Sequence, residues 1–140
     1  MEYKIINDVN EMVTCYVCDG LKCNYDWLKE HVTFGFAVDG KIAGGLIFHD
    51  YNKYSGEIWW TVYTNNKRWC NRRMLRTMFG LAFNALNCRR ISIAVDTRNL
   101  PCLNFVKKLG FKQEGIMRAQ RDDGGDNAVF GMLKTECKWL

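Results

Sequence analysis

The spacing of apolar residues changes period several times along the chain, and each change predicts an element. Residues 2–9 alternate, with Tyr3 and Ile5 set against Lys4, and read as a first strand. Val9, Met12, Val13, Tyr16 and Val17 follow at helical spacing, and Gly20 stands where such a helix stops. Residues 24–32 hold neither period; a short helix around Trp27-Leu28 is the expectation there. Two apolar runs, 33–38 and 41–48, then flank Asp39-Gly40. An Asp-Gly pair in that setting predicts a hairpin, because a type I′ turn needs positive φ at both central residues.

Residues 50–56 form a polar turn ending in Gly56, and residues 57–63 have the aromatic and β-branched content of a strand. A polar, basic loop over 65–73 leads into a helix that runs to about residue 87, with Met74, Leu75, Met78, Leu81, Ala82, Ala85 and Leu86 on its apolar stripe. Residues 91–95 read as a short strand and 96–99 as a loop. Pro101 fits the first turn of a further helix that carries Leu103, Val106 and Leu109 and stops at Gly110. Two strand-like runs, 111–118 and 128–139, close the chain around Asp122-Asp123-Gly124-Gly125-Asp126. The order predicts one α/β domain over residues 1–140, with a mixed, mostly antiparallel sheet. The crossover helix should set strands 57–63 and 91–95 side by side and parallel.

Composition narrows the class. At 48% hydrophobic, 14% aromatic and 25% charged, the 140 residues are globular in make-up, which excludes disordered, collagen-like and low-complexity proteins. No apolar run approaches the roughly 18 residues of a membrane span. The N-terminus lacks the basic-then-apolar form of a signal peptide, so a cytoplasmic protein without a membrane partner is expected. Seven scattered cysteines read as reduced thiols, not as a disulfide framework.

Charge changes the picture more. Residues 1–66 carry five Lys/Arg against nine Asp/Glu, whereas residues 67–121 carry thirteen against two. A basic middle segment suits a polyanion, either nucleic acid or a phosphorylated cofactor, or else is a solvated helix face. The basic loop 65–73 follows the carboxyl end of a predicted parallel strand and precedes a helix N-terminus. Ligands bind at such strand ends, and the free N–H groups of the helix favour an anion.

The segment Asp96-Thr97-Arg98-Asn99-Leu100-Pro101-Cys102-Leu103-Asn104-Phe105-Val106-Lys107-Lys108-Leu109-Gly110-Phe111-Lys112-Gln113-Glu114-Gly115 resembles a stretch of the GNAT superfamily of acyl-coenzyme A-dependent N-acetyltransferases, Asn-x-x-Ser/Ala followed by Lys-Leu-Gly-Phe-x-x-Glu-Gly. Gly56-Glu57-Ile58-Trp59-Trp60 is similar to the fourth strand of the branch that acetylates ribosomal-protein N-termini. The resemblance is good over residues 55–121 and extends over 33–140. It implies a GNAT fold with helices on both faces and the parallel pair splayed around an acyl-CoA cleft. The implied cosubstrate is acetyl-CoA, with no metal, and the acceptor is a primary amine on a protein N-terminus, a lysine or a small molecule. The amine would attack the thioester directly in a ternary complex. Homodimers are common on this fold.

Site roles follow from the same resemblance. Backbone amides near Val62 and Tyr63 would bond pantetheine and polarise the thioester carbonyl. The pyrophosphate would lie on the loop over Arg68, Asn71, Arg72, Arg73 and Met74. Asn99 matches the cofactor-binding Asn, Cys102 stands where Ser or Ala is usual, and Phe105 lies on the same helix. Glu57 matches the carboxylate that takes the proton of the amine.

Two departures stand out. The family's phosphate loop carries glycines, whereas Lys67-Arg68-Trp69-Cys70-Asn71-Arg72-Arg73 has none; Arg side chains can supply the phosphate contacts instead. The Tyr that many relatives use to protonate the leaving thiolate is replaced by Val106, which leaves Tyr63 as a stand-in. A degenerate binding module that holds nucleic acid or a partner protein through its Arg-rich segment is the alternative function. Three weaker signals complete the reading. Cys15, Cys18 and Cys23 with His31 have some zinc-site flavour, although two of them fall on a predicted helix. His49 follows an apolar strand on the expected acceptor side and suits either proton transfer or a structural role. Trp59, Trp60, Tyr63 and Trp69 suit an acceptor pocket or base stacking, but alternation sets Trp60 on the face opposite Glu57, Trp59, Thr61 and Tyr63, which points to the core.

Overall fold

A computed structural model describes residues 2–6, 11–24 and 26–140. Val9 and the end of the first predicted strand lie outside the described residues. The order is β1 (Tyr3–Ile6), α1 (Glu11–Leu21), β2 (His31–Val38), β3 (Lys41–Asn52), β4 (Glu57–Thr64), α2 (Arg72–Gly80), β5 (Arg90–Asp96), α3 (Leu100–Leu109), β6 (Lys112–Met117) and β7 (Asn127–Leu133). The seven strands form one sheet in the order β1-β2-β3-β4-β5-β7-β6, in which β4 and β5 pair in parallel and every other pair is antiparallel.

Alternation along the strands decides what lies on each face. Leu46 and Phe48 of β3, Ile58 and Trp60 of β4, and Ile91 and Ile93 of β5 point to the side covered by α2 and α3. Ile47 points the other way and packs with Val13, Val17 and Cys18 of α1. Adjacent glycines let elements approach both faces at one place. A Cβ at Gly45 would stand 2.6 Å from Val17, and one at Gly44 would stand 2.8 Å from the Trp69 ring. The β2–β3 turn has φ of +51° at Asp39 and +81° at Gly40, as its dipeptide requires.

Several expectations are corrected. No helix forms around Trp27-Leu28; residues 26–30 are turn and irregular, and the Trp27 ring meets His49 edge-on at 4.8 Å. β3 runs on to Asn52 through an irregularity after His49, so part of the expected polar turn is strand. Met12 is exposed, and α1 buries Thr14 and Cys18 instead. The crossover helix passes into a π turn over Leu81–Ala85. The wider turn shifts the phase by one residue, so Phe83 is buried and Ala85 is not. β7 ends at Leu133, and a short 3₁₀ turn, Lys134–Glu136, replaces the rest of the expected strand. No helix among the described residues is long and apolar enough to cross a membrane.

Candidate active site

The parallel ladder between β4 and β5 is short. It pairs Glu57 with Arg90, and its last pair is Trp60 with Ile93. β4 continues beside β3 as far as Thr64, and β5 continues beside β7 as far as Asp96. The two strands therefore part, and from Thr61 onward β4 keeps a hydrogen-bonded neighbour on one side only. Two abutting cavities, of about 200 and 700 Å³, open at this parting and share Leu21, Val62, Tyr63, Asn99 and Cys102. Unpaired strand edges present regularly spaced N–H and C=O groups to whatever lies between them.

The larger cavity runs along Thr64–Lys67 to the start of α3, where Pro101, Asn104, Phe105 and Lys108 line it. Asn99 caps α3, its Oδ1 accepting from the Cys102 amide at 3.2 Å. Asn71 caps α2 in the same way, accepting from the Met74 amide at 3.0 Å. That cap removes Met74 from the expected phosphate donors: its amide is engaged and its side chain is buried. Arg72 is also turned away, its guanidinium 5.5 Å from the centre of the Trp139 ring. Arg68 and Arg73 are exposed and make no ion pair among the described residues.

Trp69 explains how a loop without glycine keeps its shape. The ring is buried, packs on Phe36 at 4.7 Å and on Phe105 at 5.5 Å, and fills the space above Gly44. It pins the loop to the sheet and lines one wall of the larger cavity; it does not lie in the smaller one.

The smaller cavity lies toward α1. Thr61, Tyr63, Gly20 and Lys22 line one side, and Asp96 and Arg121 the other. The Tyr63 ring lies directly over Gly20 and meets the Tyr16 ring at 5.4 Å. Hydrogen bonds from Arg98 hold the Asp96 carboxyl below the usual carboxylate range, and Arg121 Nε stands 3.2 Å from its Oδ2. The single carboxylate of this cavity is thus neutralised, and its remaining charge is positive. Burial pushes the Cys102 thiol up to about 11, so it stays protonated at neutral pH and forms a wall, not a nucleophile.

Glu57 lies elsewhere. It is the first residue of β4, four positions before Thr61, or roughly 13 Å of extended chain. It lines neither cavity. The short parallel register sets it beside β5, where Ser92 Oγ donates to Oε2 at 2.8 Å and Arg90 Nε lies at 3.3 Å. Arg90 in turn pairs with Glu114 at 2.6 Å. The structure thus brings Val62, Tyr63, Asn99, Cys102 and Phe105 to the cavities, leaves Arg68, Asn71, Arg72, Arg73 and Met74 beside or behind them, and sets Glu57 apart. Sequence reasoning missed Leu21, Lys22 and Arg121, which reach the site only through the packing of α1 and of the β6–β7 connection. The three cysteines do not gather with His31: among the described residues no group of three or more His, Cys, Asp or Glu is placed to hold a metal.

Comparison with known proteins agrees with the fold. No curated protein sequence matches the chain. The fold matches a crystal structure described as an acetyltransferase, at 16% identity and a TM-score of 0.77, covering 97% of this chain and 85% of that one. It also matches a mutant of spermidine N-acetyltransferase SpeG from Vibrio cholerae, at 12% identity and a TM-score of 0.78, covering 100% and 98%. A dodecameric structure of the same Vibrio cholerae enzyme gives 13% identity, a TM-score of 0.75 and coverage of 95% and 94%. At these identities the likeness is one of fold. The family model described as acetyltransferase (GNAT) domain matches residues 7–128, and the chain therefore belongs to the GNAT acetyltransferase family.

Proposed function

We propose that the protein transfers acetyl from acetyl-CoA to a primary amine by direct attack, with both substrates bound at the β4–β5 parting. The observation that carries this reading is the unpaired edge of β4 from Thr61, standing where the two cavities meet. The backbone there, at Val62 and Tyr63, suits an extended pantetheine and a polarised thioester carbonyl. The larger cavity, with Asn99, Cys102 and Phe105 along α3, suits the rest of the cosubstrate. Arg68 in the loop before α2 and Arg73 in its first turn, with Lys67 and Lys108 on the cavity wall, suit its phosphates. Acetyl-CoA supplies the activated acyl group; the chain supplies orientation, amide donors and exclusion of water. Tyr63, at the junction, is the phenol we assign to protonation of the departing thiolate.

The basic segment has less surface to offer a nucleic acid than its composition promises. Arg90, Arg98, Arg121 and Lys112 are engaged in ion pairs, and Arg89 donates to the Ser55 carbonyl at 2.7 Å. Lys67 and Lys108, by contrast, line the larger cavity.

For the acceptor, the resemblance of residues 56–60 supports the branch acting on protein N-termini. Lys22 beside the smaller cavity, where Arg98 and Arg121 already offset Asp96, supports the same choice: it favours an amine that carries carbonyl or anionic groups over a polycation. Calorimetric titration with acetyl-CoA at low and moderate salt tests the cosubstrate. Saturable binding that persists at moderate salt is expected, and its absence at both salts sinks the reading. Thiol release with acidic N-terminal peptides and with spermidine tests the acceptor. Peptides are expected to react faster, and the reverse order overturns that choice.

A further inference from the structure

His49 is one of two histidines in the chain, and it is buried between partners on both ring nitrogens. Nδ1 lies 2.6 Å from Asp50 Oδ2, and Nε2 lies 2.8 Å from Thr61 Oγ1. A carboxylate only accepts, so Nδ1 carries the hydrogen and Nε2 is left to accept from the Thr61 hydroxyl. Thr61 lines the smaller cavity, one residue before Val62. Asp50 is 61% exposed at its side chain while His49 is 8% exposed, so the row runs from solvent, through a buried imidazole, to the cavity.

The backbone is bent to make this row. Successive residues of a strand point to opposite faces, so an ordinary strand would send Asp50 away from the His49 ring. Here the β3–β4 register shifts between His49 and Asn52, and Asp50 adopts φ of +51°, a conformation uncommon outside glycine. The irregularity brings the carboxylate back onto the ring of the preceding residue. Trp27 covers the imidazole edge-on. Strained backbone of this kind, at a bulge, beside a cavity, is a common accompaniment of function.

Resting on the proposed acetyl transfer, we propose that Thr61, His49 and Asp50 form the path by which the proton of the acceptor amine leaves the site. Thr61 is the catalytic residue, since it faces the amine; His49 and Asp50 act through it. As the amine nitrogen bonds to the acyl carbon, its N–H bond breaks and the proton passes to Thr61 Oγ1. The hydroxyl's own proton moves to His49 Nε2, giving an imidazolium held by Asp50, and the C–S bonding pair departs on the CoA thiolate. The imidazolium then gives up its Nδ1 proton to solvent by way of the exposed Asp50, and the ring, left protonated at Nε2, recovers its Nδ1–H form by proton exchange with solvent before the next turnover. Among the described residues, the titratable groups around the imidazole are Asp50 on its own strand and His31 opposite it on β2. β4 brings Thr61, the connection before β2 brings Trp27, and α1 brings Thr14 against His31, none of which ionises in this range. Burial lowers the His49 pKa below its ordinary value, so the ring is neutral and able to accept at pH 7.

The test combines ¹H–¹⁵N spectra of the imidazoles with thiol-release kinetics and acetyl-CoA calorimetry on the full chain. His49→Gln identifies the His49 signals. The wild type should show His49 protonated at Nδ1, and Thr61→Val should shift its Nε2 resonance. Thr61→Val and His49→Gln should each lose about 10²-fold or more in kcat/KM, with acetyl-CoA affinity unchanged, while Thr61→Ser recovers most of the rate. The acidic limb of the pH profile should disappear in His49→Gln. An Nε2-protonated tautomer, rates within threefold of wild type, or an acidic limb unaltered in His49→Gln overturns the path while leaving the acetyl-CoA reading intact. Wild-type protein that fails to bind acetyl-CoA overturns both.

Discussion

The two ends of β4 have similar composition and opposite fates. From Glu57 to Trp60 the strand is paired with β3 and β5, and its polar side chain, Glu57, is taken up by Ser92 and Arg90. From Thr61 to Thr64 it is paired with β3 alone, and Thr61 and Tyr63 face open volume. The residue with the most catalytic chemistry sits at the closed end. The open end becomes a candidate site because a neighbouring strand leaves, which frees backbone groups that no side-chain motif announces.

The strongest challenge to the open end is Trp69→Ala. Removing a buried indole costs about 3–5 kcal/mol and unpins the loop above Gly44. Chemical denaturation should show that loss, and calorimetry a weaker acetyl-CoA affinity; an unchanged affinity would mean the loop holds its shape by other means. Gly20→Ala comes next. Its new methyl must displace the Tyr63 ring, at an overpacking cost of about 1–3 kcal/mol, and acetyl transfer should fall further than stability alone explains. Asn99→Ala should cost about 1 kcal/mol through the lost cap of α3, read as a shifted urea midpoint.

Acidity separates the ends in a different way. Burial lowers the folded-state pKa of His49, so below its unfolded value of about 6.5 the unfolded chain binds a proton first. His49 therefore contributes no destabilisation above that pH, and stability declines as pH falls from about 6.5 toward the folded value. Urea midpoints at pH 7.5 and 5.5 should differ in the wild type, and the difference should shrink in His49→Gln. Glu57→Gln, at the closed end, has the smallest expected effect: about 1 kcal/mol or less of stability and a kcat/KM within tenfold of wild type. A hundredfold fall in kcat/KM would restore Glu57 as the base and break the comparison.

Much of this protein is written in short-range signals. The Asp39-Gly40 hairpin, the β4 strand, the helix opened by Pro101 and closed by Gly110, and the parallel crossover each depend on a few neighbouring residues and on the period of burial, so they can be read without a structure. The resemblance around Asn99 to Gly115 was enough to name the family, and with the resemblance of the fourth strand it singled out Val62, Tyr63, Asn99, Cys102 and Phe105, all of which line the two cavities. Tertiary structure alone decided the rest. Where the β4–β5 ladder ends depends on how β3 and β7 steer those strands. What Glu57 does depends on Arg90 and Ser92 across the ladder. Why the loop needs no glycine depends on Trp69 finding a gap over Gly44, twenty-five positions earlier in the chain. Leu21, Lys22, His49 and Arg121 gain their places from packing between segments far apart in sequence. Local periodicity records which side of an element is buried; it carries no record of which distant side chain lies opposite, and an active site is made of such pairings.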